Sequence, residues 1–439
     1  MPNVDELRRA ARLQYKRAVL WSHARRGDLV CRLMLHEHLA DPYPLYEDIR
    51  AKGPVYRSRA GVQAVTAHEL CGQVLRDSAF ARRNEAGTAE AVAPNPGPAG
   101  DGAPASTNDP ASASTPADRE SVSFLDGEVA DHMRWRRLVA PAFRTRKIAE
   151  YRERAEEVAH RLLDAALDKG GDFDLVTDFA SPLPITVISE LLGITDVDVA
   201  RFAHYGLVTG RAIDGVRSVR QATEFREAAR ELDAMFTALV RKRRDEPGDD
   251  LVSDLLRPLD GEQLPEQEII GTCQLLLTAG FETTTNLVSN AVLRLLSDRE
   301  QWDALVADPK LAPAVAEESL RYDPPVQYSI RVVRDPMDLR GVPLPAGTVL
   351  MLVLGAANRD PGVFPDPHRF DITRDAGQHL AFLSGAHYCV GAPLARMEAD
   401  VALSVLAERF PELRRTGRLR RRPTAALRGL LNLPVSAGR

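Results

Sequence analysis

The 439-residue sequence has only four cysteines, Cys31, Cys71, Cys273 and Cys389, and no two of them are close together. Without a Cys-x-x-Cys pair a structural zinc site is not expected, and so few scattered thiols give no disulfide framework. A reducing compartment follows as the default. The sequence also lacks any run of about 18 apolar residues, so no membrane-spanning helix is expected. Its first 30 residues carry Arg8, Arg9, Arg12, Arg17, Arg25 and Arg26 but no apolar core, unlike a secretory leader. These absences predict a cytoplasmic protein, a monomer, with no membrane attachment. A strong charge of one sign is missing too. The formal net charge is −5, which gives no global drive toward nucleic acid. Aromatics are sparse at 6%, yet 44% hydrophobic and 27% charged residues suit a globular chain with a sizeable core.

Large apolar residues are nearly absent from one internal tract, residues 84–120, typified by the Ala-, Pro- and Gly-rich run from Ala93 to Ala105. Such a tract cannot bury enough surface to offset its ordering entropy. Residues 41–80 hold too little apolar surface for a core of their own. The tract therefore reads as a mobile loop within one domain rather than a linker between two. The expected organisation is a basic helical extension over 1–40 and a single domain over 41–436 containing that loop.

The remainder is mainly helical with a minor sheet. A small hairpin is expected around Arg59-Ala60-Gly61, and strands at Tyr328–Val333 and Thr348–Leu354. Pro265, with Glu266 and Glu268 behind it, opens a helix reaching Leu296. This helix is apolar on nearly every face around Leu275-Leu276-Leu277, so it should cross the core. Shorter helices are predicted at Ala312–Tyr322, ended by Pro324-Pro325, and at about 391–410.

The most informative segment is Phe382-Leu-Ser-Gly385-Ala-His387-Tyr-Cys389-Val-Gly391. Cys389 stands just before a helix whose first turn holds Pro393, where backbone N–H groups and the helix dipole favour a thiolate. Gly385 and Gly391 permit tight turns and close approach to a flat ligand. A lone cysteine in a glycine-containing loop is ordinarily structural. Here Phe382, Gly385, His387, Cys389 and Gly391 fall together on one pattern, and the run resembles the haem-binding loop of the cytochrome P450 family. Ala392-Pro-Leu-Ala-Arg396 continues the bacterial form, and the resemblance extends over about residues 41–436.

The resemblance implies the cytochrome P450 fold, haem b as cofactor, and Cys389 as the iron ligand. Thiolate ligation favours O–O cleavage. It also gives meaning to Ala279-Gly280-Phe281-Glu282-Thr283-Thr284, three kinds of poor choice for a buried helix. By resemblance, Ala279 and Gly280 leave a groove for dioxygen, Thr283 hydrogen-bonds the activated oxygen, and Glu282 passes protons toward it. Thr284 is the expected spectator. His132 and Arg136, four apart on one helix face, would bind the haem propionates together with Arg331 and His387. Read alone, the first two would be surface ion-pair residues. The Asp126–Asp131 stretch departs from the family's shorter entry to that helix. Glu318 and Arg321, three apart, are implied to form a structural cluster with Arg369 behind the haem. The substrate pocket maps onto Leu275, Thr278, Ala279, Val326, Gln327, Ala426 and Leu427.

The implied activity is an O2-dependent monooxygenase driven by NAD(P)H. The chain has no flavin or iron–sulfur signature, so a ferredoxin and its reductase are the expected donors. Arg134, Arg137 and Arg396 would form the basic docking face near Cys389. The expected substrate is a small organic molecule, free or carrier-bound, in a natural-product tailoring step on a polyketide, peptide or terpenoid. Three alternatives stand beside this reading. A catabolic hydroxylase remains open. A peroxide-dependent relative is opposed by Glu282-Thr283. A non-catalytic helper protein is opposed by the retained Cys389.

Overall fold

One helix, Glu266–Ser297, organises the molecule in the computed structural model. The structure describes residues 4–35, 38–81, 129–214, 218–258 and 263–438. The expectation of a mobile 84–120 loop therefore lies outside the described residues.

The helices of eight residues or more are α1 (Val4–Arg25), α2 (Tyr43–Arg50), α3 (His68–Arg76), α4 (Val129–Val139), α5 (Thr145–Asp168), α6 (Pro182–Leu191), α7 (Val199–Ile213), α8 (Val219–Asp245), α9 (Glu266–Ser297), α10 (Arg299–Ala307), α11 (Ala312–Tyr322) and α12 (Ala392–Arg409). α9 starts where Pro265 supplies a fixed φ of −56° and no N–H, and Glu266 and Glu268 meet the positive end of its dipole. At 1.5 Å per residue it runs about 48 Å. It packs against α6, α7, α8, α11 and α12. Helix propensity does not explain its Gly and Thr content; burial against five neighbours does.

The principal sheet has the order β1 (Tyr56–Arg57), β2 (Val62–Val65), β8 (Val349–Leu352), β5 (Ser329–Val333), β3 (Phe80–Ala81). β2 and β8 are parallel, pairing Val62 with Val349; the other pairs are antiparallel. The β1–β2 hairpin turns at Gly61, whose φ of +79° a side chain would strain. β4 (Asp172–Asp174) joins β12 (Pro434–Ser436) and β9 (Arg414–Arg415) in a second sheet. β6 (Met337–Leu339) pairs with β7 (Val342–Leu344), and β10 (Arg420–Arg421) with β11 (Leu430–Asn432). The largest apolar cluster unites α5 to α12 around α9, and the principal sheet carries its own cluster on the opposite side of the 382–391 loop. That loop is thus suspended between two cores.

No helix among the described residues is long and apolar enough to cross a membrane.

Candidate active site

Cys389 forms part of the wall of a cavity between α9 and the 382–391 loop. The loop holds its shape through its own backbone. Cys389 N–H donates to the Phe382 carbonyl at 2.9 Å, and Gly385 turns at φ +68°. A Cβ on Gly385 would come within 2.8 Å of the Leu75 carbonyl, so the loop can lie against the end of α3 only with glycine there. Burial pushes the Cys389 thiol up, while the N–H groups of Gly391 and Ala392 and the charges of Arg136 and Arg396 oppose it. A bound metal would deprotonate such a thiol outright.

From the opposite side α9 contributes Leu275, Leu276, Ala279, Gly280, Thr283, Thr284 and Leu287 to the same cavity. Gly280 also admits α6, because a Cβ there would meet Ile188 at 3.0 Å. The hydroxyls of Thr283 and Thr284 donate to the carbonyls of Ala279 and Gly280, at 2.9 and 3.2 Å. Such bonds to the preceding turn satisfy a threonine inside an apolar helix and leave its oxygen lone pairs free to accept. The cavity wall also carries basic side chains. These are His132, Arg136 and His387, the two imidazoles 4.2 Å apart by ring centroid. Arg136 also donates to the carbonyls of Tyr388 and Ala386, fixing the loop to α4.

A haem fits this donor set. A single thiol shares a cavity with Ala279 and Gly280, apolar groups from Val326, Phe382 and Leu394 surround it, and His132, Arg136 and His387 would hold the haem's carboxylates. The cavity thus gathers His132, Arg136, Leu275, Ala279, Gly280, Thr283, Val326, Phe382, His387, Cys389 and Gly391 of the residues expected from sequence.

Others fall elsewhere. Arg331 is buried with Nη1 turned to Ser329 Oγ and the Ile330 carbonyl, both 2.8 Å away, and is not in the cavity lining. Gln327 is a strut rather than a pocket wall: it accepts from Tyr46 Oη at 2.9 Å and donates to the Pro324 carbonyl at 2.7 Å. Thr278 bonds back to the Gln274 carbonyl at 2.9 Å, outside the lining. Ala426 is held by Asp214, and Leu427 bridges to Val326 and packs against α7 at Gly210, so neither reaches the cavity wall. Glu282 is likewise absent from the lining. It is ion-paired with Arg422, in a space opened by two glycines of α7. A Cβ on Gly206 would stand 2.7 Å from Glu282 Oε2, and one on Gly210 3.3 Å from Oε1. Burial raises the Glu282 carboxyl above its ordinary value, with Arg422 opposing.

The arginine cluster needs a correction. Glu318 and Arg321 form the expected pair, two contacts of 2.7 Å with both side chains fully buried. Arg369 does not join them through its side chain, which is 70% exposed; only its carbonyl accepts, from Arg321 Nη2 at 3.0 Å. The second guanidinium is that of Arg374, 3.5 Å from Glu318 Oε1 and 11% exposed. The two arginines are five positions apart, and it is the earlier one whose side chain is exposed. Arg396 is also committed, to Glu317 at 2.6 Å and Tyr388 Oη at 3.0 Å, with its guanidinium over Phe382.

Sequence reasoning missed Arg422, Gly206, Gly210, Arg374 and Glu398. Glu398, on α12, lines the cavity, is 1% exposed, and neither oxygen accepts a well-formed hydrogen bond among the described residues. Burial pushes it up to about 8, the nearby Thr284 hydroxyl opposing. A Glu between Met397 and Ala399 in an apolar helix was the available signal.

Comparison with known proteins agrees with this geometry. The Cytochrome P450 family model matches residues 301–424. The chain is 38% identical over 423 residues to the putative cytochrome P450 140 of Mycobacterium tuberculosis, covering 94% of this chain and 93% of that one. It is 37% identical to the cytochrome P450 monooxygenase PikC of Streptomyces venezuelae, covering 90% and 91%. Among solved structures, P450BioI in complex with an acyl carrier protein ligated to hexadec-9Z-enoic acid superposes with a TM-score of 0.81 at 34% identity, covering 91% of this chain and 98% of that one. Identity of this level across nearly the whole length extends the match well beyond the cysteine loop, and the chain belongs to the cytochrome P450 family of haem-thiolate monooxygenases.

Proposed function

We propose that this chain oxidises a small organic molecule in natural-product tailoring, using haem b held by Cys389 and electrons passed from NAD(P)H through a reductase and a ferredoxin. The observation that carries the reading is the placement of Cys389 and the Thr283 hydroxyl in one predominantly apolar cavity. Haem with a thiolate ligand supplies O2 activation there. The protein's part is binding, orientation and proton supply. Arg136 would hold the two propionates by charge, and His132 and His387 by hydrogen bonding. Leu275, Ala279 and Val326 would orient the substrate by shape. Thr283 would hold a proton at its hydroxyl, and Glu282 would deliver protons from outside after leaving Arg422. Arg137, exposed on α4, would offer charge to an acidic donor protein. Similarity to PikC and to a P450 that takes a carrier-bound acyl chain supports a tailoring substrate, free or carrier-bound.

Reconstitution tests it. The purified protein should give the ferrous–CO Soret band of thiolate ligation, lost in Cys389→His, and should turn over polyketide or acyl substrates with ferredoxin, reductase and NADPH. Turnover with hydrogen peroxide alone, at a rate the ferredoxin system does not exceed, would replace this reading with the peroxide-dependent one.

A further inference from the structure

The segment from β9 to β10 carries more charge than the oxidation chemistry uses. Six of the nine residues from Arg414 to Arg422 are arginine, in a chain whose net charge is −5. Arg414, Arg415, Arg418 and Arg420 are exposed. None of the four forms an ion pair among the described residues; Arg420 only donates from Nε to Asn432 Oδ1, 3.2 Å away. Arg418, Arg420 and Arg421, with Leu419 and Ala40, line an open cleft of about 690 Å³, and among the described residues no carboxylate takes part in the lining.

Behind the cleft the imbalance continues. Successive residues turn different ways: Arg420 faces Asn432, Arg421 faces the interior at Asp323, and Arg422 takes Glu282. Asp323 is already held by Arg428 at 2.5 Å and Arg294 at 3.1 Å, and Arg359 adds to the same field. Among the described residues, four guanidiniums therefore share one carboxylate. Arg421 Nη1 is buried and makes no hydrogen bond among the described residues. Burial, then repulsion from Arg428 and Arg294, pulls Arg421 down to about 10. Buried like charge without a counter-charge is costly, and an anion in the cleft mouth is the arrangement that relieves it. The planar fork of arginine matches phosphate oxygens better than it matches a spherical ion.

We propose that this cleft is a binding site for a phosphate group, held by the guanidiniums of Arg418, Arg420 and Arg421. The phosphate could be free or borne on an organic arm; the chemistry of recognition is the same.

The test uses the haem-loaded full-length protein at fixed ionic strength, balanced with sodium chloride. Melting temperature is followed while pyrophosphate is titrated, with 31P line widths recorded in parallel. A ligand that binds only the folded state raises the melting temperature saturably. The double variant Arg418→Gln/Arg420→Gln, on the surface, should keep its ferrous–CO spectrum and weaken the apparent Kd by at least about tenfold, or about 1.4 kcal/mol. Arg421→Gln should do the same from the buried side. A rise matched by succinate, or one that survives the double substitution, overturns the proposal. If 4′-phosphopantetheine binds tighter than pyrophosphate the site reads a phosphate on an organic arm; the reverse order assigns it to free phosphate, and either order requires the arginines.

Discussion

Glu282 and Arg422 form an ion pair with side-chain exposures of 5% and 9%, and neither lines the cavity that contains Cys389. The acidic residue that the resemblance places beside the oxygen site is turned away from it, into a niche cut by Gly206 and Gly210. Removing one partner of a buried pair leaves an uncompensated charge, typically at about 3–5 kcal/mol. Arg422→Gln should therefore destabilise the fold, and the loss should grow with pH. Burial already raises Glu282, so the unfolded chain releases its proton before the folded one does; without Arg422 that gap widens. Melting curves at pH 5 and pH 8 would check this. An equal loss at both values would mean that the pair is not ionised in the folded state.

Glu282→Gln probes the other half of the pair. It removes the acid while keeping shape, and should lower turnover by about 10²–10⁴ if proton delivery runs through this residue. Binding of substrate, read from the haem spectrum, should change little. Full turnover in this variant would remove Glu282 from the proton path and turn attention to Glu398 and Thr284.

Arg374 and Arg369 make a controlled comparison. Arg374 is near-buried beside Glu318, and Arg369 is mostly exposed. Arg374→Ala should cost a few kcal/mol and reduce haem retention, because the Glu318–Arg321 pair also anchors Asp371 N–H, Pro367 and Asn358 around the segment leading to the cysteine loop. Arg369→Ala should stay within about 0.5 kcal/mol of the parent by chemical denaturation. The opposite ranking would restore the sequence-based assignment.

Leu275 and Leu427 were expected to act alike, and the structure separates them. Leu275 is in the cavity wall. Leu427 is buried beyond it, with Cδ1 only 3.1 Å from where a Cβ on Gly210 would sit. Leu275→Phe should change substrate affinity or product profile with haem content intact. Leu427→Phe should overpack the α7 contact, at about 1–3 kcal/mol, with little effect on product profile. Product analysis and denaturation of both variants decide it; a new product profile from Leu427→Phe would place that residue in the pocket.

What could be read from the sequence had a local cause. The span of α9 is set by Pro265 and by an unbroken apolar run; the cysteine loop is set by a turn, a ligand and glycines within ten residues. α11 was read to the residue because Pro324-Pro325 stops it. The misses depend on chain segments far apart. Arg422 lies 140 positions from Glu282, and nothing local distinguishes it from Arg420 or Arg421. Arg369 and Arg374 are equally plausible partners in the sequence, and only the folded chain shows that Arg374 points inward. The glycines of α7 matter only because Glu282 lies opposite them. Periodicity and motif report on elements; they do not report which side chains of two elements meet.

Glu398 gives the last prediction. Its carboxyl is pushed up to about 8 by burial, from an ordinary value of 4.5. The sign follows from which state binds the proton. Between about pH 4.5 and pH 8 the unfolded chain ionises this group while the folded protein keeps it neutral, so folding weakens as pH rises across that window. Below it the group contributes no penalty; above it the penalty is constant. The full effect is of order a few kcal/mol. Glu398→Gln cannot titrate, so its stability should fall less than the parent's between pH 5 and pH 8, and the two curves should diverge in favour of the variant. Denaturant midpoints at four or five pH values across the window measure this directly. Because Glu398 shares the cavity with Thr284 and Cys389, the same variant also reports on chemistry. If the neutral carboxyl donates a proton toward the thiol-bearing site, Glu398→Gln should flatten the alkaline limb of the turnover profile as well. Parallel stability curves for parent and variant would show that the carboxyl is already ionised in the folded protein, and the assignment of a neutral Glu398 would fall.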